Sequence, residues 1–128
     1  MTLGLSRLLM LALTAAALTV AVLPFASPAI AASGAAAPDL VNQTGHTIDA
    51  LSIRRTGTPA WQPLPATPPR PSGGVRAKSS FTDPDCAFDI QATLDDGTLA
   101  VWTGVNLCEV KSVTLNRNAS GATWADYD

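Results

Sequence analysis

The 128-residue chain reads as an all-β protein, a small antiparallel β-sandwich, immunoglobulin-like or similar, that follows a cleaved signal peptide. Three features of the sequence predict this. Cys86, Phe88, Ile90, Ala92 and Leu94 alternate with Ala87, Asp89, Gln91 and Thr93, the period of two that a half-buried strand requires. Asp95-Asp96-Gly97 follows at once, and Asp-Gly tolerates the positive φ angles of a type I′ hairpin turn, so Thr98 to Trp102 returns antiparallel. Beyond residue 32 there is no convincing helical pattern, and the turn signals are spaced for roughly five to seven short strands. A small open barrel is the second architecture that fits.

Taken in chain order, the first element is an export signal over residues 1–32. Arg7 supplies the positive start, Leu8 to Leu23 form a 16-residue apolar run broken only by Thr14 and Thr19, and Pro24 ends it before Ala29-Ile30-Ala31. Small residues at that spacing suit signal peptidase, with cleavage after Ala31 or Ala32. Spanning a bilayer takes about 20 apolar residues, so the run is short for an anchor and the mature form is expected to have no membrane span. Residues 33–38 read as a flexible Ala-rich leader and 39–115 as the sandwich domain. Leu40-Val41-Asn42 passes through the turn signal Gln43-Thr44-Gly45 into Thr47 to Arg54. There Ile48, Leu51 and Ile53 reach one face if a β-bulge sits near Asp49-Ala50.

Residues 56–74 hold six prolines, which remove backbone donors and forbid a helix or a central strand, so this stretch reads as a long and poorly ordered loop. Val75, Ala77, Ser79 and Phe81 then alternate with Arg76, Lys78 and Ser80 as a half-exposed strand. Asp83-Pro84-Asp85 turns the chain into the strong strand already described. Val105 to Leu115 supplies a further strand or two, and residues 116–128 read as a flexible tail, held only where Trp124 or Tyr127 docks.

Composition narrows the function. With Arg7 removed, seven basic residues face ten acidic ones, and the basic ones form no stripe, which argues against nucleic acid as a partner. Mature residues number about 96, one small domain with a thin core. Two cysteines in an exported chain most simply form one disulfide, Cys86 to Cys108, across the sheets or between neighbouring strands. Closing that loop stabilises a fold by roughly 3 kcal/mol in the chain-entropy model. The exported location is the periplasm or the exterior.

The segments Leu40-Val41-Asn42-Gln43-Thr44-Gly45-His46-Thr47-Ile48, Cys86-Ala87-Phe88-Asp89-Ile90, Asp95-Asp96-Gly97, Asn106-Leu107-Cys108-Glu109-Val110 and Val113-Thr114-Leu115 resemble those of small exported bacterial proteins of unknown function with a paired-cysteine β domain. The resemblance covers about Asp39 to Leu115 and brings no activity with it. The proline-rich middle departs from the pattern, since relatives are more acidic and less rich in proline there.

No catalytic constellation emerges. His46 is the sole histidine and reads as an exposed, unpaired imidazole beside a glycine turn. Asp83, Asp85 and Asp89 flank the start of a strand that Asp95 and Asp96 follow, and nine residues of strand separate groups by about 30 Å, too far for one site. Asp83-Pro84-Asp85 offers too few oxygens for calcium, so no metal and no cofactor is expected. Both sequons, Asn42-Gln43-Thr44 and Asn118-Ala119-Ser120, read as incidental. The aromatic residues remain. Trp61, Trp124 and Tyr127 are the candidate binding residues, rings that stack on a glycan or grip a protein if they share an exposed face, while Trp102 belongs to the core. The reading is thus an exported, non-catalytic binding or accessory domain whose partner is an unidentified protein or glycan. A structural envelope-associated protein is the alternative, and a hydrolytic enzyme comes third.

Overall fold

The computed structural model describes residues 16–21 and 34–128, and from Gly34 onward the chain is all-β. The export signal expected over residues 1–32 lies outside the described residues except for 16–21, which hold no helix or strand. Among the described residues no helix is long and apolar enough to cross a membrane.

Eleven strands follow: β1 (Ala35–Ala36), β2 (Asp39–Gln43), β3 (Ile48–Arg55), β4 (Gln62–Pro63), β5 (Ala66–Thr67), β6 (Arg76–Ser79), β7 (Thr82–Asp83), β8 (Ala87–Leu94), β9 (Leu99–Asn106), β10 (Ser112–Arg117) and β11 (Thr123–Tyr127). They form a five-stranded sheet in the order β11-β10-β2-β6-β5, a four-stranded sheet β4-β3-β8-β9, and a small ribbon β1-β7. Every pair is antiparallel except β2 with β10, which run parallel.

Alternation puts the core between the two larger sheets. Leu40, Ala77, Val113 and Leu115 face inward from one sheet, and Ile48, Leu51, Ile53, Phe88, Ile90, Ala92, Leu94, Ala100, Trp102 and Val105 from the other. The register of β3 on β8 slips between Ile48 and Ala50, so the three apolar residues of β3 do reach the same interior. Trp102 is a core residue, and its indole Nε1 donates to the Asn116 carbonyl at 2.9 Å, which removes the cost of burying that N–H.

The β8–β9 hairpin forms as expected but with a different turn. Gly97 has φ +81°, whereas neither aspartate takes a positive φ, and the Gly97 N–H donates to the Leu94 carbonyl. The loop is therefore a three-residue turn with glycine in the left-handed position rather than type I′. A second irregularity lies in the same hairpin. Phe88 pairs with Val105 and Ile90 with Trp102, so Thr103 and Gly104 together oppose Asp89.

Three expected flexible segments are built into the fold. In the leader, Ala35 is buried, donates its N–H to the Asp85 carbonyl and pairs with Asp83, and Gly34 packs so closely on the Asp83 carbonyl that a Cβ there would collide with it. The proline-rich stretch is not a loose loop. β4 closes the flank of one sheet and β5 that of the other, Leu64 is buried between them, and Pro71 accepts the Ile48 N–H. Its prolines fit because edge strands this short need few ladder donors. The tail is a strand: β11 pairs with β10 over five residues, after a turn in which Asn118 Oδ1 accepts from the Ser120 and Ala122 N–H groups.

β11 also shields the edge of β9. Thr123 Oγ1 donates to the Val101 carbonyl at 2.7 Å, and the Asn106 N–H donates to the Tyr127 hydroxyl at 3.0 Å. With that flank covered and the opposite edge strands, β4 and β5, only two residues long, the edges are protected from pairing with other chains.

Candidate functional site

Two ends of the sandwich collect polar chemistry, and they are separated by the length of β8, about 23 Å. At the far end, the turn between β2 and β3 meets the β8–β9 hairpin. Asn42, 1% exposed, fixes that corner: its Nδ2 donates to the His46 and Pro71 carbonyls, and its Oδ1 accepts from the Thr44 N–H and hydroxyl. The corner brings His46 Nδ1 within 2.9 Å of Asp95 Oδ1 and Nε2 within 4.0 Å of Asp96 Oδ2. The expected unpaired imidazole is thus corrected: the hairpin turn carries a carboxylate to it, which sequence distance conceals. Asp96 is held below the ordinary carboxylate range, chiefly by the Thr98 N–H. These three groups lie within ligand distance of one another, and all are partly or fully exposed.

The near end is more elaborate. It begins with Asp89 on the outer face of β8, where alternation places it, yet the residue is only 3% exposed. Three partners close over it. The bulge turns the Gly104 N–H onto Oδ1 at 3.0 Å, the Thr56 hydroxyl donates to the same oxygen at 2.9 Å, and Arg54 Nε donates to Oδ2 at 3.0 Å. Gly104 has φ +63°, the left-handed conformation in which a Cβ is strained, so this residue type permits the bulge. Burial alone pushes the Asp89 carboxyl upward. The Gly104, Thr56 and Arg54 donors together outweigh it and hold the group below its usual range.

Arg54 in turn lies 4.3 Å from the centre of the Trp61 ring, a cation–π contact. This chain of contacts, carboxylate to guanidinium to indole, pins the proline-rich segment across β3. Trp61 therefore stands on the outer face, while its neighbours Ala60 and Gln62 turn the other way, toward a groove.

That groove has a volume of about 360 Å³ and opens where β3 ends and β8 begins. Its floor is apolar: Ile53, Phe88 and the half-buried Phe81, whose ring meets that of Phe88 edge-on at 5.1 Å. Its rim is polar. Arg55 Nη2 donates to both oxygens of Asp83 at 3.1 and 3.2 Å, and its Nε lies 2.9 Å from Asp85 Oδ2. Thr58 is folded back onto the Arg55 carbonyl by its N–H and its hydroxyl.

The disulfide stands beside this end. Cys86 and Cys108, with Cα atoms 5.0 Å apart, join the residue before β8 to the loop after β9, so the bridge ties neighbouring strands of one sheet. Ala35 pairs with Cys108, and the Leu107 N–H donates to the Cys86 carbonyl.

The three aromatic candidates are not brought together. Trp124 projects from the outer face of the five-stranded sheet opposite Asn116. Tyr127, three residues along the same strand, faces the other way and meets β9. Trp61 is beside the groove but directed out of it. The groove residues Arg55, Phe81 and Gln62 were missed in the sequence, because the segments that carry them look like two strand ends and a loop.

No family model matches the chain, and no curated protein matches it. Among solved structures, the NMR structure of a protein from Eubacterium rectale is similar at a TM-score of 0.49 and 11% identity, over 74% of this chain and 88% of that one. That likeness is too slight to carry an inference.

Proposed function

We propose that this is an exported, non-catalytic binding or accessory domain, akin to the small exported bacterial proteins its sequence resembles, and that the groove beside the disulfide is its binding site. The observation that carries this reading is the combination of an apolar floor with a rim of preplaced polar groups in a concavity large enough for a small ligand. Export is supported by the Cys86–Cys108 bridge, which belongs to oxidising compartments, together with the leader-like start of the chain.

The rim chemistry favours binding over catalysis. Asp83 and Asp85 are both engaged by the Arg55 guanidinium, so neither carboxylate stands unpartnered toward the groove as an acid–base group would. Asp89 is held ionised and out of solvent, and the single imidazole stands at the opposite end. A general base beside a nucleophile has no counterpart among the groups that line the groove.

The test is retention on the cell envelope of the producing organism. The secreted protein is compared with its Ala60→Trp variant, in which an indole at an exposed position fills the groove mouth. Wild-type protein retained and the variant released is the expected result. Equal retention, or none for either, contradicts the groove as the binding site.

A further inference from the structure

We infer that the groove takes a neutral saccharide, one or two pyranose rings seated with a C–H face on Phe81 and with hydroxyl groups on Arg55 and Gln62. This rests on the groove being the binding site and adds the class of ligand.

Charge decides against ions. Arg55 is the one cation at the rim not already paired with Asp89, and it stands between two carboxylates, Asp83 and Asp85. An anionic ligand would have to displace one or both of them, and a cationic ligand would have to displace Arg55. A neutral ligand leaves the pairs intact.

Hydrogen-bonding capacity then asks for a ligand with both donors and acceptors. With Nε and Nη2 of Arg55 committed to the aspartates, Nη1 donates to no protein atom among the described residues and is left to serve a ligand oxygen. The Gln62 side chain is exposed, and its carboxamide offers two donors and an acceptor. Sugar hydroxyls both give and receive, so one ring edge satisfies both groups.

The floor completes the match. Phe81 is half-buried against the core and braced edge-on by Phe88, so its ring is held in place rather than free to collapse into the groove. A rigid aromatic surface under a polar rim complements a pyranose, which is apolar across its C–H face and polar around its edge. A peptide fits less well. The adjacent edge strand β4 is two residues long and contains Pro63, with Pro59 shortly before it, so it offers no run of free backbone groups for an added strand.

The test is an amide-resolved NMR titration of the secreted, disulfide-bonded protein. The probes are maltose, cellobiose and N,N′-diacetylchitobiose, with digalacturonate as the anionic control and a capped Ala-Phe-Ala tripeptide as the peptide control. At least one neutral disaccharide is expected to shift the amides of Thr58, Ala60, Gln62 and Phe81 saturably. Arg55→Ala should weaken that binding by about tenfold, the loss of a hydrogen bond to a charged group, and Ala60→Trp should abolish the saturable shifts by filling the groove mouth. Trp124→Ala, on the outer face of the other sheet, should leave it unchanged. If the tripeptide or digalacturonate alone shifts those amides, the saccharide inference is overturned while the groove remains the binding site. If no probe shifts them, the saccharide inference is likewise overturned, and the envelope-retention comparison decides the groove separately.

Discussion

Asp89 shows how one carboxylate can organise the end of a sheet. Its two oxygens accept three donors from two segments, the end of β3 and the bulge of β9, so replacing it with asparagine removes the charge and inverts one of those contacts. Asp89→Asn should cost about 2 kcal/mol of unfolding free energy at neutral pH, measured by urea denaturation. The pH dependence has a definite sign. Because the native carboxyl titrates below the unfolded one, its stabilisation is complete above the ordinary carboxylate range and is lost as pH falls through the native value. The gap between wild type and Asp89→Asn should therefore narrow from about pH 5 downward. A gap that stays constant into acid would contradict the network. Gly104→Ala should destabilise by about 1 kcal/mol through backbone strain in the same bulge. Alternation in the sequence located Asp89 on the outer face, but periodicity reports direction and not cover. Its burial depends on a bulge in β9 and on Thr56, neither of which leaves a periodic trace. His46 and Asp95 were hidden for a related reason, since their meeting needs both turns in place.

At the scale of elements, legibility followed length. β8 spans eight residues, long enough for a period of two to declare itself, whereas the bulge at Thr103-Gly104 interrupts the alternation of β9 and hides its run past Trp102 to Asn106; the odd spacing of Ile48, Leu51 and Ile53 required the bulge that β3 contains. β4 and β5 span two residues each, which no periodicity can reveal, and proline is compatible with both a loop and an edge. β11 was hidden differently. None of its five residues is fully buried and Trp124, Asp126 and Tyr127 are exposed, so it shows no core-facing alternation, and its role is to close the β9 edge rather than to fill the core. Two outcomes test these elements. Trp61→Ala should release the proline-rich segment, costing about 1–2 kcal/mol and speeding hydrogen exchange at the Leu64 amide, which donates to the Leu51 carbonyl. Tyr127→Phe removes the acceptor of the Asn106 N–H and should cost about 1 kcal/mol in thermal unfolding, with the fold retained.

Across the whole molecule, the sandwich has a well-packed centre and two differently secured ends. The far end is held by the Asn42 corner and by the exposed His46–Asp95 pair, the kind of contact worth little in water. The near end carries the groove, and it is held by the disulfide, the β1–β7 ribbon and the Asp89 network together. Two cysteines and a leader-like start were enough to anticipate the bridge, but its position between neighbouring strands, beside a groove, emerges only from the fold. This covalent tie, between the residue before β8 and the loop after β9, secures the groove end in particular. Hydrogen exchange of the disulfide-bonded protein, before and after reduction, separates the two ends. Reduction should sharply accelerate exchange at the Ala35, Ala37 and Leu107 amides, which bond to Asp85, Phe81 and Cys86, while the centre of β8 stays protected. Unchanged exchange at those three amides, or an equal rise across every strand, would contradict it.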